Sequence, residues 1–561
     1  RSSSAQNFTK ITTGSIVNDI GDSWGCSWTD FNNDGRQDLF VTNVGNDFLY
    51  TGTGDSIFVR VTTGQAVSDG VDSRGSCWGD YDNDGDEDLF VSTGSGNNLL
   101  YRNDGNGVLT KITTGVIVTD GGTSRGCSWG DYDNDGRLDL YVANIGNDFL
   151  YHNNGAGNFT KIVSGDIVSS GGSTIGCNWV DYNNDGYLDL YANNFGGSAF
   201  LFKNNGDGTF TKIISGAIVT DASSATAGGW GDFDNDGDLD VVVANISNQG
   251  TYFYRNDGAP DYTFTKDTST VIAHSAAESY AVCWVDHDND GDLDLFIANV
   301  GNEFLFNNSG YPSYTFTRVM TGGIVNDGGS SYGSGWADYD NDGDVDVLIC
   351  NKFGGKNSLF ENNGNSNSWL NVKCIGGTAN KSGIASRVEV KANVNGVSQW
   401  QIHEVTDQSS YYSSNSLNAE FGFGDASIID SLVIKWPGGQ TEVYTNLPVN
   451  KFYTVTQGQG IVGIKKNEIA VSGYSLQQNY PNPFNPETNI TFTLPKKVKV
   501  SLTIYNIIGK KIATPVDGEL NSGNYTVKFE AGDVKNISSG VYYYTLITPD
   551  FIETKKMILL K

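Results

Sequence analysis

The chain has 561 residues, with 65 Asp and Glu against 35 Lys and Arg, for a formal net charge of −30. So acidic a chain is a poor partner for nucleic acid and a natural one for cations. It is too long for one core and reads as roughly two to four domains, and no run approaches about eighteen apolar residues, so no membrane-spanning helix is expected.

The sequence opens at Arg1 rather than at a methionine, which suggests that an export signal has been removed. Short runs rich in Val, Ile, Thr, Tyr and Phe follow one another between Gly, Asn and Asp clusters, and 71 residues are glycine. That is the pattern of an all-β chain. Phe8 to Ile11 is the first such strand, and "FTKI"-like strands recur before each later inner strand.

At Asp30 a nine-residue motif begins, D-x-[DN]-x-D-G-x-x-D, and it occurs seven times. The first copy places Asp30, Asn32, Asp34, Arg36 and Asp38 at positions 1, 3, 5, 7 and 9. The second places Asp80, Asp82, Asp84, Asp86 and Asp88 there, and the third Asp131, Asp133, Asp135, Arg137 and Asp139. The fourth has Asp181, Asn183, Asp185, Tyr187 and Asp189, and the fifth Asp232, Asp234, Asp236, Asp238 and Asp240. Asp286, Asp288, Asp290, Asp292 and Asp294 form the sixth, and Asp338, Asp340, Asp342, Asp344 and Asp346 the seventh.

The first aspartates are 50, 51, 50, 51, 54 and 52 residues apart. Such a period, with no helical pattern inside it, leaves room for four short strands and their turns. That is the size of a propeller blade.

Side-chain oxygens at positions 1, 3, 5 and 9 can converge because the glycine at position 6 lets the loop turn sharply. Residue 7 would add its backbone carbonyl. An oxygen-only, carboxylate-rich set suits Ca²⁺, with Mg²⁺ less suited and Zn²⁺ poorly matched. Two like charges ~4 Å apart repel by about 1 kcal/mol even in water, so seven repetitions without a cation would be costly. Up to seven Ca²⁺, one per blade, are expected. An EF-hand is excluded because its twelfth position needs a bidentate Glu, where this chain has Val41, Val91, Val142, Ala192, Val243, Ile297 and Ile349.

Two residues before each first Asp stands a tryptophan: Trp28, Trp78, Trp129, Trp179, Trp230, Trp284 and Trp336. They read as wedges between neighbouring blades. Cys26, Cys77, Cys127, Cys177 and Cys283 sit just ahead of the loops, where other copies carry Gly or Ser, and read as small buried filler. Cys350 and Cys374 are close enough in sequence to pair, with nothing to establish that they do.

Six residues before each first Asp the frame holds while the side chain varies: Trp24, Arg74, Arg125, Ile175, Thr226, Tyr280 and Tyr332. If the loops occupy one face, these open on the other. Trp24, Arg74, Arg125, Tyr280 and Tyr332 are then candidates to grip a glycan or an anionic partner, against the plainer reading of ordinary exposed loop residues. No catalytic constellation is visible. The four histidines are scattered, and no G-x-S-x-G, zinc or phosphate-loop motif is present.

The seven motifs resemble the FG-GAP/VCBS repeats of β-propellers, over about residues 8 to 366. The resemblance implies a seven-bladed propeller whose calcium loops join the first two strands of each blade. Phe8 to Ile11 would then be the outer strand of the last blade. Residues 367–457 resemble the ASPIC/UnbV domain through Phe421-Gly-Phe-Gly424, Trp436-Pro-Gly-Gly439, Asn380 and Arg387-Val388. They depart from it at Ile384-Ala-Ser386, where that family has Ile-Gly-Ala.

Residues 458–473 read as a linker. Beyond it, Pro481, Pro483, Pro486 and Pro495 crowd together and "VKVSLTIYNIIGKKI" alternates as a strand. Residues 474–561 resemble the type A C-terminal sorting domain of the type IX secretion system. The matching residues are Asn479 to Phe484, Ile504-Tyr-Asn506, Gly509, Ser539 to Tyr542 and Lys555-Lys-Met557. This implies an Ig-like β-sandwich, handling by the type IX machinery, and export to the outside or outer surface of a Gram-negative bacterium of the Bacteroidetes–Chlorobi–Ignavibacteria group.

The expectation is therefore an all-β, calcium-binding, secreted or surface-held propeller that works by binding, in adhesion, matrix building or glycan capture. Glycans, surface proteins or copies of itself would be its partners. The alternative is a structural subunit of an extracellular filament or sheath that uses a retained C-terminal domain for assembly. A polysaccharide-active enzyme ranks third.

Overall fold

Every predicted loop joins two antiparallel strands, and a four-stranded sheet is built around each. The computed structural model describes residues 8–461 apart from 55–56, 106 and 409, and residues 474–560 apart from 480, 495, 497, 521–522 and 535–536. The chain divides into two compact units, Arg1–Val462 and Gly463–Lys561.

In the first sheet Ser23–Thr29, Asp38–Gly45, Phe48–Gly52 and Phe58–Val61 lie side by side, each antiparallel to its predecessor. Equivalent sheets open at Val71, Ser124, Thr174, Ala222, Ser279 and Gly329. The second strand of each is apolar on both faces because a neighbouring sheet covers either side. All six residues of Asp88–Thr93, for example, are buried.

The inner strands converge until backbone nears backbone, which explains their small residues. A Cβ on Gly126 would lie 2.9 Å from the carbonyl oxygen of Ile175 in the next sheet, and one on Gly75 3.0 Å from that of Arg125. The five cysteines expected as filler are buried there. All seven cysteines are free. Cys350 packs in the seventh sheet and Cys374 in the core of the following module, so the two do not pair.

Six of the seven tryptophans are buried and Trp230 is partly so. They do stand between sheets: the aromatic at loop position 2 stacks on the tryptophan of the next sheet, as Phe31 does on Trp78 and Tyr132 on Trp179. Several indole N–H groups donate back across the joint, Trp78 to Ser27 Oγ at 2.9 Å and Trp284 to the Gly229 carbonyl at 3.1 Å. The ring closes in the same way. Tyr339 of the seventh loop stacks on Trp28 with centroids 6.0 Å apart, and Phe8–Lys10 pairs with Ser358–Asn362 as the outer strand of the seventh sheet.

Residues 369–461 form two further four-stranded sheets in the same compact unit. In one, Trp369–Ile375 pairs antiparallel with Ala419–Gly422 and parallel with Lys451–Thr456. The other orders Val397–Glu404, Arg387–Val394, Ile428–Lys435 and Thr441–Pro448. Between them they bury Leu370, Val372, Val390, Leu432 and Val455.

This module stands on the loop end of the seven sheets. Asp80 N donates to Ser382 Oγ at 2.8 Å, Arg387 Nη2 to the Gly237 carbonyl at 2.6 Å, and Gly424 N to the Asn289 carbonyl at 2.8 Å. The expected linker begins later than residue 458, because Gly460–Ile461 still pairs with Val455–Thr456. Its remainder, 462–473, lies outside the described residues.

The second unit is a two-sheet β structure. Ser475–Leu476, Glu487–Leu494 and Gly523–Glu530 form one sheet, and Lys511–Leu520, Val498–Asn506, Gly540–Ile547 and Ile552–Leu559 the other. Phe492, Leu502, Ile504, Tyr544, Leu546 and Met557 fill the core. The proline-rich stretch is fastened to it. Phe484 is buried and exchanges backbone hydrogen bonds with Ile558 and Leu560, and Asn479 N donates to Tyr544 Oη at 2.7 Å. Tyr480 and Pro495 lie outside the described residues.

Candidate metal centres

The seven loops share one internal geometry. The first Asp accepts two backbone N–H groups, from positions 5 and 6: Asp30 at 2.8 and 2.9 Å, Asp131 at 2.9 and 2.9 Å, Asp338 at 3.0 and 2.9 Å. The Asp at position 5 accepts from the N–H of position 7, as Asp84 does from Asp86 at 3.0 Å. The turn needs left-handed backbone at two residues, Gly85 (φ 103°) and Asn83 (φ 60°) in the second loop. Glycine and asparagine tolerate that region best.

The Asp at position 9 opens the second strand and accepts one backbone N–H from the end of the third strand. Asp88 takes it from Asn103 and Asp139 from Asn153, both at 2.7 Å. One carboxylate oxygen of Asp38, Asp139, Asp189 and Asp240 is buried without a hydrogen-bond partner, and so is one oxygen of Asp82, Asp133, Asp234, Asp288 and Asp340.

These are positions 9 and 3. Buried polar atoms are almost always paired, and here the unpaired ones recur at the same two places in successive loops. In the second loop Asp80, Asp82 and Asp88 bring one oxygen each within 4.8 Å of one another, and Asp232, Asp234 and Asp240 do so in the fifth. The residues present fit a hard divalent cation.

Electrostatics point the same way. Burial first, and neighbouring carboxylates after it, push Asp131 and Asp232 up to about 8. In the sixth loop burial and then Asp288, Asp294 and Asp292 push Asp290 up to about 9. Asp240, Asp338 and Asp346 are raised well above the usual carboxylate range for the same reasons. Groups so crowded require either a proton or a cation.

Positions 1, 3 and 9 thus meet in the second and fifth loops, and positions 1, 3 and 5 in the third. The side chains at position 7 turn elsewhere, Arg36 and Arg137 to the position-5 carboxylates Asp34 and Asp135. Two structural asparagines were missed in the sequence. Position 4 is Asn in every copy, and in the first six its amide donates to the position-6 carbonyl of the next loop. Asn83 reaches Gly136, Asn134 reaches Gly186 and Asn289 reaches Gly343, each at 3.0 Å.

The Asn ending the third strand donates to the position-2 carbonyl of the preceding loop, as Asn153 does to Tyr81 at 2.7 Å. Both are visible as repeated letters once the copies are aligned. Ser382, Glu404 and Glu420 were missed as well. They accept the backbone N–H of Asp80, Asp181 and Asp338 and lie outside the repeat, so no period announces them.

The ring expected at the other face assembles in part. Trp24 lies between the Arg74 guanidinium, 3.9 Å from its ring, and Lys352 Nζ at 3.4 Å. Tyr280 stacks on Tyr332 at 3.8 Å. The chain itself also reaches this ring, from the inside. Tyr411 and Tyr412 of the second module stack on each other at 3.9 Å, with Tyr411 edge-on to Tyr280 at 5.4 Å and Tyr412 edge-on to Trp24 at 6.1 Å.

The flanking residues pair with the inner strands along the way. Asp407 accepts from Ser128 Oγ and Trp129 N at 2.6 Å, Asn178 Nδ2 donates to the Gln408 carbonyl at 2.9 Å, and Ser414 N donates to the Cys26 carbonyl at 2.9 Å. Trp336 N donates to Asn415 Oδ1 at 2.9 Å. A hydroxyl- and amide-rich segment is suited to this, since converging inner strands leave backbone groups to satisfy.

Comparison with known proteins agrees with this architecture. The model of the FG-GAP-like repeat matches residues 30–91, 80–142, 131–192, 181–243, 232–297 and 286–349, each window running from one acidic loop through the next. The ASPIC and UnbV model matches 376–462, and the secretion system C-terminal sorting domain matches 478–560. The sorting domain indicates export by the type IX system to the cell surface or beyond.

Cartilage acidic protein 1 of Homo sapiens is 27% identical over 206 residues, covering 31% of this chain and 28% of that protein. Its Xenopus tropicalis counterpart is 26% identical over 255 residues, covering 44% and 38%. The chain thus spans well under half the length of these relatives. Among solved structures, an Agrocybe aegerita lectin specific for non-reducing terminal N-acetylglucosamine aligns at 17% identity and TM-score 0.39, over 62% of this chain and 86% of that one. The loops, the sheets around them and the matched windows, which together run from residue 30 to 349, carry one conclusion: the chain belongs to the FG-GAP-like repeat family.

Proposed function

We propose that this secreted β-propeller protein binds Ca²⁺ in its seven loops and acts by binding, as an adhesive or matrix component outside the cell. The observation that carries the calcium reading is the recurrence of unpaired buried carboxylate oxygens at positions 3 and 9. Their all-oxygen surroundings suit Ca²⁺ better than smaller or softer ions.

Positions 1, 3, 5 and 9 supply the side-chain ligands, and residue 7 its carbonyl. Because the position-4 Asn of each of the first six loops grips the next loop, an ion that orders one of these loops also steadies its neighbour. Calcium would therefore hold the ring together and keep the surface on which the second module stands.

The reading of binding rather than catalysis is supported by where the charged and aromatic side chains are engaged. The acidic groups are engaged in the loops, and the inner sides of the aromatic ring are covered by Tyr411 and Tyr412. What this leaves for a partner is the outer rim around Trp24, Arg74 and the exposed Phe353. Aromatic and guanidinium groups at a rim favour glycans and anionic surfaces.

The test is attachment of the full chain to bacterial cells and immobilised polysaccharides, in millimolar Ca²⁺ and after chelation. Attachment that is lost on chelation, and weakened at least tenfold by Trp24→Ala, supports the reading. A calcium-loaded protein that attaches to neither surface contradicts it.

A further inference from the structure

One residue of each third strand occupies the same place beside its own loop. Strand register puts Thr51, Arg102, His152, Lys203, Arg255, Asn307 and Glu361 there in turn. In the fourth and fifth sheets the long cations act as counter-charges. Lys203 Nζ is 3.6 Å from Asp185 Oδ2 and Arg255 Nη1 is 3.7 Å from Asp234 Oδ2. Neither side chain can ligate a metal.

The third sheet differs. His152 Nδ1 lies 3.2 Å from Asp139 Oδ1 and 3.5 Å from Asp133 Oδ2, yet it makes no well-directed hydrogen bond, and Asp133 Oδ1 and Asp139 Oδ2 are unpaired beside it. Asp139 is fully buried. One ligand atom from each of the three residues falls within 4.8 Å of the others, and Asp131, Asp133 and Asp135 form an overlapping group.

We propose that the third loop is a mixed imidazole–carboxylate centre that takes a divalent transition ion of the zinc type in preference to Ca²⁺. This rests on the reading that the loops hold cations. A neutral imidazole nitrogen is a good ligand for Zn²⁺, Co²⁺ or Ni²⁺ and a poor one for Ca²⁺, which selects oxygen. Replacing one oxygen of the set by Nδ1 therefore changes the ion preferred at one place in seven and leaves the other loops to Ca²⁺.

His287, in the sixth loop, groups with Asp288 and Asp294 in a similar way, but it comes from position 2 of the loop and not from the third strand, and its ring is hydrogen-bonded. Its Nε2 is 3.0 Å from Asp294 Oδ2 and 3.3 Å from Asn307 Oδ1, in hydrogen-bonding range of both. The rival for His152 is a protonated ring serving as a counter-ion, as Lys203 and Arg255 do.

The test uses the full chain, stripped with chelator, equilibrated with millimolar Ca²⁺ and titrated with micromolar Zn²⁺. Wild type is expected to retain one Zn²⁺ per chain after gel filtration. His152→Asn should retain less than a tenth as much with its calcium content otherwise unchanged, while His287→Asn behaves as wild type. Equal zinc retention by wild type and His152→Asn, or none by wild type, overturns the proposal.

Should His152→Asn fail to fold, Co²⁺-loaded wild type labelled with ¹⁵N-histidine decides. A cobalt–nitrogen coupling supports the centre and its absence overturns it. Failure of the calcium reading is recorded separately, as a chain that takes up no Ca²⁺ at any loop, whatever its zinc content.

Discussion

Asn98 and Asn357 do with an amide what Asp47, Asp148 and Glu303 do with a carboxylate. Each accepts the backbone N–H at the end of a second strand: Asn98 from Thr93 at 3.0 Å, Asn357 from Asn351 at 3.0 Å, Asp47 from Asn43 at 2.8 Å. Burial pushes Asp47 up to about 8, Asp148 to about 7 and Glu303 to about 8. In the unfolded chain these groups titrate near 4, at about 3.9 for Asp and 4.3 for Glu. The folded protein therefore binds more protons in between, and their stabilising contribution is complete below pH ~4 and lost as pH rises through 7 to 8.

Asp47→Asn, which copies the solution already used at Asn98, is expected to stabilise the protein at pH 8.5 by about 1 kcal/mol or more. At pH 5, where the carboxyl has ionised in the unfolded chain but not in the folded one, the gain should be smaller. Urea melts at the two pH values, in constant calcium, check this. A variant that loses stability equally at both would contradict it. Asn134 offers a second residue-scale test, because it combines left-handed backbone (φ 58°) with the amide bond to Gly186. Asn134→Ala should cost about 2 kcal/mol, from strain and a lost hydrogen bond together, and Asn134→Gly about 1 kcal/mol, because only the bond is lost. Equal losses in the two would remove strain from the explanation.

The repeated elements were legible because the repetition is exact where chemistry demands it. Aspartate stands at positions 1, 5 and 9 and glycine at position 6 in every copy, and the tryptophan ahead of them marks the joint between sheets. The segment from Thr406 to Ser416 was not legible. It has no period, and its partners are far away in sequence, Ser413 bonding to Cys26 and Asp407 to Ser128. Nothing local distinguishes such a stretch from an ordinary polar loop.

Its role can be tested at Asp407, whose two acceptor oxygens satisfy Ser128 and Trp129 in the interior. Asp407→Ala leaves both donors unpaired and should destabilise the first unit by about 2–4 kcal/mol. Asp407→Asn keeps acceptor capacity for one of them and should cost less than half as much. Thermal melts of both variants, with calcium saturating, are the check. An alanine variant as stable as wild type would mean that the segment does not hold the inner strands.

For the molecule as a whole, the acidic composition and the fold have a single cause. Carboxylates are concentrated at one end of seven sheets, in loops chained to each other by Asn and capped by a second module through Ser382, Glu404 and Glu420. Charge of this density is tolerated in a folded protein only when protons or a counter-ion neutralise it. Calcium is abundant outside cells, and the sorting domain sends the chain there. The unit 463–561 carries none of the loops, and a transition belonging to it should not move with calcium.

The most direct measurement is the calcium content of the full chain together with its melting temperature, before and after chelation. The expected result is up to seven Ca²⁺ per chain after equilibration in millimolar calcium. Removing them should cost about 1 kcal/mol per occupied site at a few-fold excess over Kd, seen as a large fall in the transition of the first unit. A chain that holds no calcium under these conditions, and melts at one temperature with and without chelator, would contradict the account at its centre.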